Sequence, residues 1–220
     1  MDSYNSFLSH FQISTEEFID RGLNSIIFPE ISTIDKAWED LKNRIINNGK
    51  VYIRGYGRDA HGTELYKGFY TYALNNQNVT KDPTNNTIPR KLIAQATGIK
   101  NNQDIFNYQV AHIFGHTKNV FMFEAPWNIC YIPKLFDPFT GHESKGEISA
   151  TFRNRFITMA YKRHIQYIDD YNRIISKLSL NEKITEFTDM LYSNSDYSLE
   201  EAERFKADCI VELSALQCDE

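Results

Sequence analysis

The sequence predicts an α+β protein that is mainly helical and contains one small embedded ββα finger. Residues 147–178 contain neither Gly nor Pro, and their apolar side chains recur at three- and four-residue spacing, which is typical of a long helix. Residues 107–113 and 129–132 combine β-branched and aromatic side chains over the length of a strand. Three prolines exclude a long helix around the second of these runs: Pro126, Pro133 and Pro138.

Shorter patterns predict further helices and one more strand. Amphipathic spacing and capping signals predict helices over residues 3–12, 15–21, 33–48, 63–74, 90–97, 182–192 and 198–216. A strand is expected over residues 51–54, where apolar and aromatic side chains precede a glycine. Residues 75–89 are polar and contain two prolines, so they are predicted to form a loop.

The length and composition suit one domain with helical extensions. A chain of 220 residues that is 41% hydrophobic can bury a sizeable core. We divide it into a mostly helical N-terminal region (1–106), the ββα finger with its long helix (107–178) and an acidic helical C-terminal extension (179–220). The sequence contains no internal repeat and no low-complexity linker.

The chain reads as a cytoplasmic protein with no membrane partner. It has no apolar run of about 18 residues, which a membrane-spanning helix requires. Its first residues lack the basic segment and apolar stretch of a secretory signal. The three cysteines are far apart and include no C-x-x-C pair, which argues against a disulfide framework and a zinc knuckle.

Charge is unevenly distributed along the chain. The formal net charge is −5, yet residues 49–177 contain 17 basic and 10 acidic side chains, a net of +7. The flanking segments are acidic, with −4 over residues 1–48 and −8 over residues 178–220. A basic centre between acidic ends favours a local DNA-binding surface. The alternative is an ordinary fluctuation of charge.

One constellation carries chemistry. His112, Asn128 and His142 follow one another at intervals of sixteen and fourteen residues, across the two predicted strands and up to the long helix. An imidazole that titrates near neutrality can take a proton from water, and a carboxamide can hold a cation or orient the base. Such a set supports metal-assisted hydrolysis of a phosphodiester.

The order strand, loop, strand, loop, helix, with these three residues, resembles the HNH or His-Me finger nucleases. The resemblance covers residues 107–155, and the segments Ala125-Pro-Trp-Asn-Ile129 and Asp137-Pro-Phe-Thr-Gly-His-Glu143 look like those of restriction-type members. It implies that His112 is the general base, that Asn128 binds or helps to place Mg²⁺ (or Mn²⁺), and that His142 is a second ligand or a phosphate contact.

Each of these residues also has a structural interpretation. His112 could be a hydrogen-bonded structural histidine, Asn128 could form an Asx turn after Pro126 and Trp127, and His142 could cap a helix. His116 follows His112 by four residues, so a zinc site is a further alternative. Asn119 and Glu124 lie in the intervening segment, from which either could reach the site.

Basic residues in and around the finger are the candidate DNA contacts. Lys118 lies between the two strands, and Arg153, Arg155 and Lys162 lie on the long helix, where Arg155 and Lys162 share a face. The basic, glycine-rich segment from Arg54 to Arg58 could also approach a phosphate. An ordinary solvated surface is the alternative for each.

The sequence thus predicts a metal-dependent endonuclease that hydrolyses double-stranded DNA, with a role in restriction or defence. A homodimer is expected, because cutting both strands of a palindrome requires two sites. Many HNH nucleases place an Asp or His metal ligand directly before the general base, where this chain has Ala111. This difference favours the alternative of a non-catalytic DNA-binding or regulatory module. A helical interaction protein, acting through its acidic C-terminal extension, is the other alternative.

Overall fold

The structure is a computed structural model that describes residues 2–55, 60–141, 143–193 and 197–217, with only the backbone described at 60 and 61. These ranges are mainly helical with two small sheets. The helices are α1 (Ser3–His10), α2 (Thr15–Asn24), α3 (Ile31–Ile46), α4 (Ala60–Leu74), α5 (Thr87–Thr97), α6 (Glu147–Lys177), α7 (Leu180–Tyr192) and α8 (Leu199–Glu212). The strands are β1 (Val51–Ile53), β2 (Val79–Lys81), β3 (Tyr108–His112) and β4 (Ile129–Pro133). The predicted α+β class and the long helix are confirmed.

Strands β3 and β4 form an antiparallel hairpin that is buried on both faces. Val110 pairs with Tyr131 and His112 pairs with Ile129 in its register. Since side chains alternate along a strand, Ala111 and Cys130 point to the face opposite Val110. That opposite face packs on α2 and the first half of α6, in an aromatic cluster that includes Phe18, Phe136, Phe139, Phe152 and Phe156.

Helix α5 covers the other face of the hairpin. Ile93 of α5 packs with Val110 of β3 and with Ile129 and Tyr131 of β4. His112 pairs with Ile129 at the end of β3 and therefore belongs to this α5 side of the hairpin. The two faces thus have different roles, because α6 supports the hairpin from one side and α5 lies beside His112 on the other.

The C-terminal extension is part of the main core. Phe187 of α7 and Phe205 of α8 pack against Phe69 of α4, with ring centroids 5.7 and 6.2 Å from it. The capping signal at Ser198 is confirmed, since Ser198 and Glu201 form a reciprocal capping box at the start of α8. The acidic helices are therefore structural elements of the domain, which contribute Phe187 and Phe205 to its core.

The prediction of a loop over residues 75–89 is wrong in two places. Strand β2 pairs in parallel with β1, and α5 begins at Thr87, before Pro89. Asp82 is fully buried and accepts hydrogen bonds from the amides of Thr87 (2.9 Å) and Ile88 (2.7 Å). Because the first turn of a helix needs no amide donor at Pro89, the proline is tolerated there.

The long helix α6 is kinked at His164, whose backbone angles are φ −114° and ψ 16°. The His164 side chain is fully buried, and both of its ring nitrogens lack a hydrogen-bond partner. Burial, together with the charge of Arg163, lowers its pKa to about 4.

The described part of the chain contains no helix long and apolar enough to cross a membrane.

Helices α2 and α6 approach closely at Gly22, which leads to a stability prediction. A Cβ atom at Gly22 would lie 2.5 Å from Phe152 and 2.6 Å from Phe136, two buried rings. We expect Gly22→Ala to lower the free energy of unfolding by about 1–3 kcal/mol, since overpacking outweighs the better helix propensity of Ala. Chemical denaturation measures this change.

Gly68→Ala on α4 is the matched control, because its Cβ would meet only the edge of Phe187 at 3.3 Å. It should leave the stability nearly unchanged. Equal effects of the two substitutions would contradict the close packing of α2 on α6.

Candidate active site

The His112 imidazole is held in one tautomer. Its Nε2 lies 3.0 Å from the carbonyl oxygen of Phe123, and its ring stacks on the Phe123 ring at a centroid distance of 5.2 Å. A carbonyl oxygen can only accept a hydrogen bond, so Nε2 carries the proton. In the neutral ring Nδ1 therefore keeps its lone pair, and no group in the described ranges bonds to it. Nδ1 is the atom that can act as a base.

The surroundings keep His112 neutral. Burial, assisted by the nearby positive charge of Arg54, lowers its pKa to about 4, while the bond to Phe123 and the carboxylate of Asp82 act in the opposite direction. The ring is therefore unprotonated at neutral pH, which is the form that a general base requires.

Asn128 braces the connecting loop, which we define as residues 113–127 between β3 and β4. Its carboxamide is fully buried, donates to the carbonyl oxygens of Gly115 (3.1 Å) and Met122 (3.0 Å), and accepts from the amide of Phe114 (2.9 Å). One side chain thus ties both ends of the loop, next to the Phe123 carbonyl that orients His112. This arrangement favours the predicted positioning role of Asn128 over the role of a metal ligand.

Helix α8 holds the same loop from the outside. The carbonyl oxygen of Glu212 accepts from His116 Nδ1 (2.9 Å) and from Asn119 Nδ2 (2.9 Å), and its carboxylate accepts from the Lys118 amide (2.9 Å). Burial raises the pKa of Glu212, although the Lys118 contacts oppose this shift. His116 and Asn119 therefore have structural bonds to α8.

Glu124 connects the loop to β1. Its buried carboxylate accepts hydrogen bonds from the amide of Tyr52 (2.6 Å) and from the guanidinium of Arg44 (3.0 Å). Burial raises the pKa of Glu124, and the bond to Arg44 opposes that shift. Glu124 therefore anchors the loop. Its carboxylate bonds Tyr52 and Arg44 and does not reach the site.

The described residues leave the predicted cation site untested. Within ranges 2–55, 60–141, 143–193 and 197–217, no three His, Cys, Asp or Glu side chains lie together as a group that could hold a metal ion. This also leaves the alternative zinc site at His112 and His116 without a ligand set in the described part. His142 lies outside the described residues, so its role and the Mg²⁺ or Mn²⁺ site stay predictions.

Two charged groups lie close to His112. Arg54 is exposed, and its backbone amide donates to the carbonyl oxygen of Thr117 in the connecting loop (2.8 Å). Asp82, which caps α5, was not foreseen as a neighbour of the site, although an Asp before the Thr87 helix start is a capping signal. Arg54, a candidate DNA contact from the sequence, thus lies close to His112, whereas Arg58 lies outside the described residues.

The other predicted DNA contacts fall into two groups. Lys118 Nζ forms an ion pair with Asp208 of α8 (2.6 Å), and Arg155 pairs with Glu16 (2.7 Å) and Asp20 (2.6 Å) of α2. Lys118 thus joins the connecting loop to α8, Arg155 joins α6 to α2, and the DNA contacts of both stay predictions. Arg153 and Lys162 are exposed on α6, but this helix lies on the opposite side of the hairpin from His112.

The low pKa of His112 predicts a pH dependence. The unfolded pKa of a histidine is about 6.5, so the native state binds fewer protons between about pH 6.5 and 4. Stability is therefore full above this window and falls with decreasing pH, by about 1.4 kcal/mol per pH unit for one proton. The His112→Gln variant should lose this one-proton contribution to the pH dependence of the unfolding free energy. His164, whose pKa is also lowered to about 4, should keep its own contribution in that variant.

NMR titration of the His112 ring and denaturation at several pH values measure these effects. A His112 ring that titrates near its ordinary pKa of 6.5 would contradict the buried, hydrogen-bonded arrangement.

The three bonds of Asn128 predict a large cost for its removal. We expect Asn128→Ala to lower the free energy of unfolding by about 2–4 kcal/mol, since buried groups of the loop lose their partners. Asn172→Ala is the matched control, because Asn172 also bonds two backbone groups, both of Leu216, and lies far from the hairpin.

Thermal or chemical unfolding gives the stability, and the His112 NMR signal reports on the loop. Asn172→Ala should leave that signal in place, whereas Asn128→Ala should shift it. An unshifted His112 signal in Asn128→Ala would refute the bracing role.

Comparison with known proteins identifies a family. The family described as "Uncharacterised protein PM1201" matches residues 29–218. A relative from Pasteurella multocida (strain Pm70), "Uncharacterized protein PM1201", is 44% identical over 177 residues, which make up 80% of this chain and 80% of the relative. No solved structure matches the chain. Because the family match extends over most of the chain, the chain belongs to the PM1201 family. The matched range includes the hairpin, the connecting loop and α6.

Proposed function

We propose that the protein is a metal-dependent endonuclease of the HNH type that hydrolyses phosphodiester bonds in DNA, with a role in restriction or defence. The observation that carries the proposal is the bond between His112 Nε2–H and the Phe123 carbonyl, which leaves Nδ1 as the basic atom.

The residues around His112 suggest how the reaction would proceed. Nδ1 takes a proton from a water molecule, the water oxygen bonds to the phosphorus, and the bond to the leaving sugar oxygen breaks. The imidazolium formed in this step keeps its Nε2–H bond to Phe123, which stabilises the positive charge. Arg54 would meet the negative charge that develops on the phosphate.

The low pKa of free His112 agrees with this role once substrate is included. A phosphodiester anion beside the ring favours the protonated form and so raises the pKa towards neutrality. The base would therefore become stronger when substrate is bound. In its absence burial, assisted by the positive charge of Arg54, keeps the ring neutral.

Mg²⁺ or Mn²⁺ is part of the proposal because of the resemblance, and it would neutralise charge at the phosphate. The described residues do not supply a ligand set, and Asn128 is committed to the loop, so we assign no step to the ion. His142 is the residue of the motif that could still contribute a ligand. The duplex DNA partner and the homodimer likewise remain proposals, supported by the basic central segment and by the need to cut two strands.

Removal of the base tests the proposal. We expect His112→Ala to reduce cleavage of plasmid and phage DNA by about 10²–10⁴-fold, because that is the usual contribution of a general base. The assay is run with Mg²⁺, with Mn²⁺ and with a chelator, and the fragments are resolved on gels. DNA binding should persist in the variant.

His10→Ala is the matched control, since His10 is an exposed histidine of α1. It should cut like the unmodified protein. Undiminished cutting by His112→Ala would eliminate the proposed base.

A non-catalytic DNA-binding module is a second candidate, favoured by Ala111 and by the absence of a metal-binding group among the described residues. It predicts that the protein binds DNA and leaves it intact with either cation. The same assay, combined with a gel-shift measurement, distinguishes the two functions.

A further inference from the structure

A cavity of ≈ 600 Å³ lies between α5 and the hairpin. One side is a stripe of α5 that consists of Asn86, Arg90 and Ala94, spaced four residues apart and therefore aligned on one helix face. The other side is formed by β3, with Tyr108 and Gln109 in the lining. The small side chain of Ala94 leaves room between the helix and the sheet.

The cavity is lined by positive charge without negative charge. Arg90, Lys100 and Lys134 contribute to its wall, and no Asp or Glu does. Within the described ranges none of these three side chains forms an ion pair, in contrast to Lys118 and Arg155. A cleft lined by one sign of charge concentrates the field and attracts an anion. The three cations therefore point to a phosphate-bearing ligand.

Neutral polar groups add a second kind of contact. The Asn86 carboxamide does not cap α5, because Asp82 bonds the first amides of that helix, and Asn101 and Asn102 also line the cavity. Carboxamides of this kind read the edges of bases through paired donors and acceptors. The cavity is moreover much larger than a single phosphate group requires. Its chemistry fits a nucleotide, with the phosphate on the cations and the base towards the carboxamides.

The cavity and His112 lie on the same side of the hairpin. Tyr108, Val110 and His112 alternate along one face of β3, so Tyr108 is about 13 Å from His112 along the strand. Asp82, whose carboxylate accepts from the first amides of α5, is close enough to influence His112, and Arg90 lies on the first turn of that helix. At about 3.4 Å per nucleotide, one DNA strand spans this distance in roughly four steps.

We propose that this cavity binds a nucleotide of the substrate strand a few positions away from the phosphate cut at His112. The proposal rests on the nuclease function. It adds a contact that fixes the position of the DNA strand relative to His112. It assigns to Arg90, Lys100 and Lys134 the phosphate contacts that the sequence pattern had suggested for Lys118 and Arg155.

Salt-dependent binding tests the cavity separately from cleavage. Full-length protein in a chelating buffer is titrated into a fluorescently labelled DNA duplex at several salt concentrations, and anisotropy gives the affinity. Arg90→Gln and Lys134→Gln should each weaken binding and lower the slope of log affinity against log salt by about 0.9, and the double variant by about 1.8. Because the two residues lie on different elements, a folding defect in one variant does not affect the other.

Lys91→Gln is the matched control, since Lys91 is exposed on α5 next to Arg90 and does not line the cavity. It should leave the slope unchanged. Equal slopes for Arg90→Gln, Lys134→Gln and Lys91→Gln would overturn the inference, as would a complete lack of DNA binding by the unmodified protein.

Competition distinguishes a nucleotide site from a simple anion site. Deoxynucleoside monophosphates should displace the labelled DNA at lower concentrations than inorganic phosphate does, and Arg90→Gln should reduce this difference. Equal competition by phosphate would overturn the nucleotide assignment. If the slopes change as expected but no cleavage occurs with either cation, the cavity stands and the nuclease function falls.

Discussion

The candidate site depends on the buried carboxamide of Asn128. This single side chain bonds the start of the connecting loop to Met122 from inside, while Glu212 and Glu124 connect the loop to α8 and β1. Because its partners are backbone groups, the brace holds whatever side chains the loop carries. The Phe123 carbonyl, and with it the orientation of the His112 ring, follows from this arrangement. The chemistry proposed for His112 is thus a consequence of loop geometry.

One face of the hairpin contributes to stability, and the other face carries the candidate site. The face towards α6 is filled by aromatic rings, each of which contributes roughly 1.5–3 kcal/mol when fully buried. The face towards α5 is less completely filled and leaves both His112 and a basic cavity next to the helix. A rigid apolar support behind a strand allows polar groups on its other face to be held precisely. The fold is therefore well suited to carry a site, whichever reaction occurs there.

Local patterns were sufficient to predict the elements around the site, but not its contacts. The periodicity of α6 and the β-branched runs of β3 and β4 are local properties, and these elements were predicted correctly. Strand β2 was missed because three residues in a polar segment give no periodic signal, and its stability comes from the distant β1. The ion pairs of Lys118 and Arg155 could not be predicted for a related reason. The position of a residue in a predicted helix or loop can indicate that its side chain is exposed. It does not show which acidic side chains from distant helices lie beside that residue.

Glu212 ties the candidate site to the folding of α8. The connecting loop precedes Glu212 by 93 to 96 residues, yet His116, Lys118 and Asn119 all bond to this one residue. The hairpin is held by its own backbone pairs, but the loop beside His112 acquires its outer support only when α8 has packed against it. Local unfolding of this one helix would therefore loosen the loop beside the candidate base.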